Sequence, residues 1–178
     1  MMRFLFLKPG LPASFASALL ASACVSAQVA PDAARIAGEI ETQGAQPAVT
    51  SLDRDGQFDA VLDSIASGNA AWVELAPRLA QGTDASASIG LTIALATALP
   101  KNPAAVLSVL DDGPVLGAAA VCGAPFIEPA PGEMKAYLDR AIPAVSDVPE
   151  GDAVRRAPCL DRLAHIQRLL ETSPTQLQ

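Results

Sequence analysis

From Asp32 onward, apolar residues recur at three- and four-residue steps and do not alternate with polar ones over five or more positions. That period lines up side chains on one face of an α-helix, whereas a half-buried strand needs strict alternation. Pro31-Asp32 opens a short helix carrying Ile36 and Ile40 and ended near Gly44. The stretch from Gln46 to Thr50 contains Pro47 and reads as a linker. Asp53-Arg54-Asp55-Gly56 leads into Phe58, Val61, Leu62 and Ile65, one helix face closed by Gly68. Asn69 is suited to cap a helix with Trp72, Val73, Leu75 and Leu79, stopped by Gly82. Thr83 and Asp84 cap the next, from Ala85 to about Ala98, which Pro100 ends.

Asn102-Pro103 is a cap followed by proline in the first turn, and starts a helix through Val106, Leu107 and Leu110. Gly113-Pro114 restarts a helix with Val115, Leu116 and Val121, stopped by Gly123. Ala124 to Gly132 holds Pro125, Pro129 and Pro131 and reads as a loop. Two longer helices follow near 133–148 and 151–171, and 172–178 is expected to fray. Pro77, Pro143 and Pro158 fall inside helical patterns, where each should kink or split its helix. The fold expected is all-α, with seven or eight short helices in antiparallel pairs. Residues 28–50 are the first helix and linker, and 51–171 the helical domain. Ala76-Pro77-Arg78-Leu79 and Ala157-Pro158-Cys159-Leu160 look alike, as in a HEAT-like repeat layout, but a match of this length in an Ala- and Pro-rich chain is better explained by chance.

Composition narrows this picture. The 178 residues are 51% hydrophobic and only 17% charged, which excludes a disordered chain. Thirty-six residues are alanine, so much of the apolar content is small and lets helices approach closely. The net charge of −7 argues against nucleic acid or an anionic membrane as partner, because both reward clustered Lys and Arg. The charge-free runs 85–100 and 113–127 are 16 and 15 residues long, short of a membrane span. A spanning helix needs about 20.

The N-terminus reads as an address. Arg3 and Lys8 are the only charges before Asp32, an apolar run follows, and Val25-Ser26-Ala27 precedes Gln28. A basic start, an apolar core and small residues before the cut define a secretory signal peptide over 1–27, cleaved between Ala27 and Gln28. Cleavage takes the charge to −9. Leu20-Ala21-Ser22-Ala23-Cys24 is a looser match to a lipobox that would put a lipid anchor on Cys24, but Ala21 stands where leucine is preferred. Cys122 and Cys159 remain under either reading, and in an oxidising compartment they are expected to pair. Two buried free thiols are the alternative.

Candidate chemistry is sparse. With Gly56 at the sixth position of a calcium loop, Ser51, Asp53, Asp55 and Asp59 fall at ligand positions, but Leu62 stands where a bidentate Glu is needed. A turn with a negative helix start explains these residues better. His165 is the lone histidine and sits among Ile166 and Leu169, with no GxSxG elbow for a triad. Zinc would need His165 with both cysteines, without the usual local ligand spacing. Asp111, Asp112 and Glu128 could in principle pair for acid–base hydrolysis, on cell-wall polymers for example, though only proximity in sequence supports it. No cofactor is implied. The segment Val121–Pro129, with Phe126, Ile127 and Glu128 at its centre, is apolar and Pro-rich. Such a loop is either packed as structural filler, the favoured reading, or offered to a partner.

The stretch Gly68 to Leu110, with Trp72, Leu75, Ala76, Leu79, Ala98-Leu99-Pro100 and Asn102 to Leu107, resembles small exported proteobacterial proteins without an assigned activity. Val121–Pro129 and the Cys159-Leu160 helix are similar to them as well. The resemblance implies a periplasmic helical domain and carries over no catalytic residue. The combined expectation is an exported interaction domain, of the inhibitor or immunity kind, that binds another envelope protein. An Asp/Glu envelope hydrolase and a lipid-anchored envelope maintenance protein are the alternatives.

Overall fold

The computed structural model describes residues 32–149 and 155–172. The expected signal peptide over 1–27, the expected cut between Ala27 and Gln28, Cys24 and residues 173–178 of the tail lie outside them. The described residues form an all-α fold of ten helical segments: α1 (Ala33–Gln43), α2 (Ala45–Arg54), α3 (Phe58–Ala66), α4 (Ala70–Val73), α5 (Ala76–Ala80), α6 (Ala85–Ala98), α7 (Pro103–Val109), α8 (Ala118–Val121), α9 (Glu133–Ser146) and α10 (Arg156–Thr172). Among these residues the only β-type pairing is an isolated bridge between Asp111 and Gly117.

The caps fall where the side-chain chemistry puts them. Asp32, Asn69, Asp84 and Asn102 each accept a backbone N–H from the first turn of α1, α4, α6 and α7. Each satisfies one of the donors that a helix start leaves without a partner.

At α6 sits the centre of the molecule. It carries no charge and buries Leu91 and Leu95 completely, and Leu99, which caps its end, is completely buried as well. α3 packs along it, and α9 packs along α10. Thr92 is the one polar residue buried in the described core. Its hydroxyl lies 3.0 Å from the Ser88 carbonyl oxygen and 2.9 Å from that of Val115, so it meets its hydrogen-bonding needs and ties the 111–117 loop to α6.

Three expectations are corrected. Residues 46–50 are not a linker: they lie in α2, which buries Ala48, Val49 and Leu52. Pro47 is the third residue of α2 and costs no intrahelical bond there, because the first-turn N–H groups have no helical partner. The restart at Gly113-Pro114 is a turn, and helix resumes only at Ala118. The two look-alike Ala-Pro contexts are both first turns, Pro77 in α5 and Pro158 in α10. Pro77 thus splits the predicted 70–80 helix into α4 and α5, whereas Pro158 leaves α10 whole. Pro143 lies inside α9 without breaking it. It is exposed, as is Asp139, whose carbonyl loses the bond.

Gly82 allows the closest approach between elements. A Cβ there would lie 2.3 Å from the backbone of Ala45, so the end of α5 meets the start of α2 only through glycine.

Candidate functional site

Cys122 ends α8 and Cys159 lies in the first turn of α10. They form a disulfide with Cα atoms 5.3 Å apart, and both are fully buried. The bond crosslinks two elements at the point where the loop 123–132 leaves the core. Beside it, a Cβ on Gly123 would come within 2.4 Å of the Ala119 carbonyl oxygen, so only glycine continues the chain there.

The loop divides into a packed half and a presented half. Ala124 is buried. Phe126 is half-buried and meets the Tyr137 ring of α9 edge to face, centroids 4.8 Å apart. Such pairs contribute about 1 kcal/mol beyond the area they bury. Ile127 then turns out to solvent, 73% exposed, with Glu128 exposed beside it. Ala124 and Glu128 both adopt positive φ, 51° and 47°. This is an uncommon conformation for side chains other than Gly and Asn, held here by the anchors on either side. At the far end, Glu133 Oε2 accepts the Ala130 N–H at 2.9 Å and closes the loop onto α9.

Tyr137 is buried, and its hydroxyl has no hydrogen-bond partner among the described residues. Burial pushes its ionisation well above the ordinary phenol range, only partly opposed by the Arg140 charge.

The carboxylates singled out in the sequence do not converge on a reaction centre. Asp111 Oδ1 accepts the Gly113 N–H at 2.7 Å within its own turn. Asp112 is bound through both oxygens by the Arg155 guanidinium, with one contact at 2.9 Å. That hydrogen bond, and then the positive charge, hold the Asp112 carboxyl below its usual range. A proton-donating carboxyl needs the opposite shift.

Ser51 and Asp53 lie in the last turn of α2, so the proposed calcium loop is helix over its first positions. His165 is exposed on α10, and no group of three or more metal-ligating side chains occurs among the described residues. The disulfide also removes both cysteines from any zinc site.

The Phe126–Tyr137 and Asp112–Arg155 contacts were not foreseen. Each joins two separate elements, the loop to α9 in one case and positions 43 residues apart in the other, and no local pattern marks either partner.

The fold and this loop define a disulfide-braced all-α domain that presents one apolar tip. No family model, curated protein or solved structure matches the chain. Among the described residues no helix is long and apolar enough to cross a membrane. The disulfide fits an oxidising compartment.

Proposed function

We propose that the chain is an exported, periplasmic helical domain that binds another envelope protein, as an inhibitor or immunity-type protein does. The observation that carries this reading is Ile127. It is an exposed branched apolar side chain on a loop fixed by a buried disulfide, an aromatic contact and a helix-start carboxylate. Of the three large apolar side chains exposed among the described residues, Ile89 and Leu169 lie on helices α6 and α10, and only Ile127 stands at the tip of a fixed loop. A loop already held in one conformation binds without the entropy cost of ordering it.

The test is a photo-crosslinking residue placed at 127 in the native host, with Asp139 as the exposed control position. The expected result is one crosslinked envelope protein at 127 and none at 139, and loss of that complex in Ile127→Glu. Equal crosslinking at both positions would overturn the reading. The same samples report export: the mature mass should begin at Gln28, and a chain retaining Met1 would contradict it. The rival hydrolase reading draws no support from Asp112, which Arg155 keeps ionised.

A further inference from the structure

The loop 123–132 is held in place at an energetic cost. Ala124 and Glu128 adopt positive φ, which side chains with a Cβ avoid. Tyr137, whose ring meets Phe126, keeps its buried hydroxyl without a hydrogen-bond partner among the described residues. Water would satisfy that hydroxyl if the loop lifted. Against these costs stand the Phe126–Tyr137 contact, the Glu133 carboxylate at the far end and the Cys122–Cys159 bond at the root. Only the last is covalent. It ties down α8, a single turn of four residues, which is too short to stand as a helix without tertiary support. The larger helices are held differently, since α3 packs along α6 and α9 along α10 directly. Loss of the bond removes the anchor of α8 and of the loop, and leaves those helix pairs their own contacts.

The surroundings of the bond favour thiol–disulfide exchange. Cys159 lies in the first turn of the 17-residue α10, where the helix dipole favours a thiolate. Arg162 enters no ion pair among the described residues, and its Nε has no hydrogen-bond partner there. That Nε is 3.3 Å from where a Cβ on Gly123 would stand, next to Cys122 in the chain. A positive charge beside a cysteine lowers its pKa. Between α8 and α10, the two elements the bond joins, the surface has a depression of about 330 Å³ lined by Ala118, Ala119, Pro158, Asp161, Arg162 and His165.

We propose that the Cys122–Cys159 bond is a redox switch for the loop. Intact, it fixes Ile127 in its presented position; reduced by a dithiol, it frees α8 and 123–132 while the helical core stays folded. The inference rests on the protein-binding reading for its purpose, because reduction withdraws a fixed tip from the partner, and on the geometry alone for its test. In the exchange, a thiolate of the dithiol attacks the Cys122 sulfur, and the Cys159 sulfur leaves as the thiolate that the start of α10 stabilises. The second thiolate of the dithiol then attacks the mixed disulfide and displaces Cys122. Two electrons and two protons pass to the cysteines, and the dithiol becomes a disulfide. Both sulfurs are fully buried, so exchange waits for α8 to lift, and its rate is that of a local opening.

The test incubates the full chain with dithiothreitol at neutral pH without denaturant, then alkylates the free thiols and counts them by mass. Both cysteines are expected to become free while far-UV circular dichroism keeps its helical signal. Reduction only after denaturation, or loss of the helical signal on reduction, would make the bond a permanent brace and overturn the proposal. Chymotrypsin cutting after Phe126 reads the loop itself. C122A/C159A should be cut there about tenfold or more faster than the native chain, because cleavage follows the population of the opened loop. Cutting after Phe58, buried in α3, should not rise with it. Equal rates after Phe126, or a matching rise after Phe58, would overturn the proposal. A freed loop in a chain that gives no crosslink at 127 keeps the switch and removes the protein-binding reading. A loop that stays protected, with crosslinking intact, removes the switch and keeps that reading.

Discussion

Tyr137 brings a hydroxyl into the core without an acceptor among the described residues, in exchange for its ring contact with Phe126. An unsatisfied buried hydroxyl costs about 1–3 kcal/mol, so Tyr137→Phe should raise stability by about 1 kcal/mol while keeping the ring pair. The hydroxyl also sets a pH dependence. Its ionisation is raised in the folded state, so the folded form holds its proton where the unfolded chain has lost it. Stability is therefore full below the ordinary phenol range and falls as pH rises through it. Denaturant midpoints measured across the alkaline range should fall for the native chain and stay flatter for Tyr137→Phe; parallel curves would show that the hydroxyl is solvated. Ile127 is the opposite case, an apolar group left in water. The loop's composition marked the segment as unusual, but which half would pack and which would be presented depended on where Tyr137 stands.

Among the elements, helix starts were the most legible feature. Asn69, Asp84 and Asn102 were recognised from their own side chains, because a cap is a bond within two or three residues. Asn102 does more than its sequence context announces: Oδ1 accepts the Ala105 N–H at 3.3 Å while Nδ2 donates to the Gly68 carbonyl at 2.9 Å. It caps α7 and fastens the end of α3 at once. Asn102→Ala should cost about 2 kcal/mol, roughly one for the cap and one for the lost crosslink. Asn102→Ser, which keeps only the cap, should cost about half that, as read from urea midpoints. Equal losses in the two variants would leave the bond to Gly68 without energetic weight. Proline was read less well. Pro47 suggested a linker because proline is disfavoured inside helices, yet the first turn tolerates it, and only the burial of Val49 and Leu52 shows that the chain there is helical. The segment after Gly113 failed in the other direction. Leu116 is buried and Val115 partly so, and the hydrogen bond from Thr92 to the Val115 carbonyl and the Asp111–Gly117 bridge hold the segment as a turn, without a helix.

For the whole molecule, the disulfide is the crosslink with the longest reach that the sequence foretold. It closes a separation of 37 residues between α8 and α10. Constraint of the unfolded chain over such a loop contributes about 3–4 kcal/mol. Cys122→Ala/Cys159→Ala should lower stability by about that amount, and the native protein should show no free thiol at either position when denatured without reductant. A variant as stable as the native chain would mean that packing alone holds α8 on α10. The sequence by itself determined that the fold is helical and where most helices begin, since periodicity and capping are properties of neighbouring residues; it offered Cys122 and Cys159 as a pair, and the structure shows them bonded. Only the tertiary structure decided that Ile127 faces water while Phe126 packs, that Arg155 holds Asp112, and that Thr92 holds the 111–117 loop against α6. Each of those facts depends on how separate elements meet rather than on any residue's nearest neighbours.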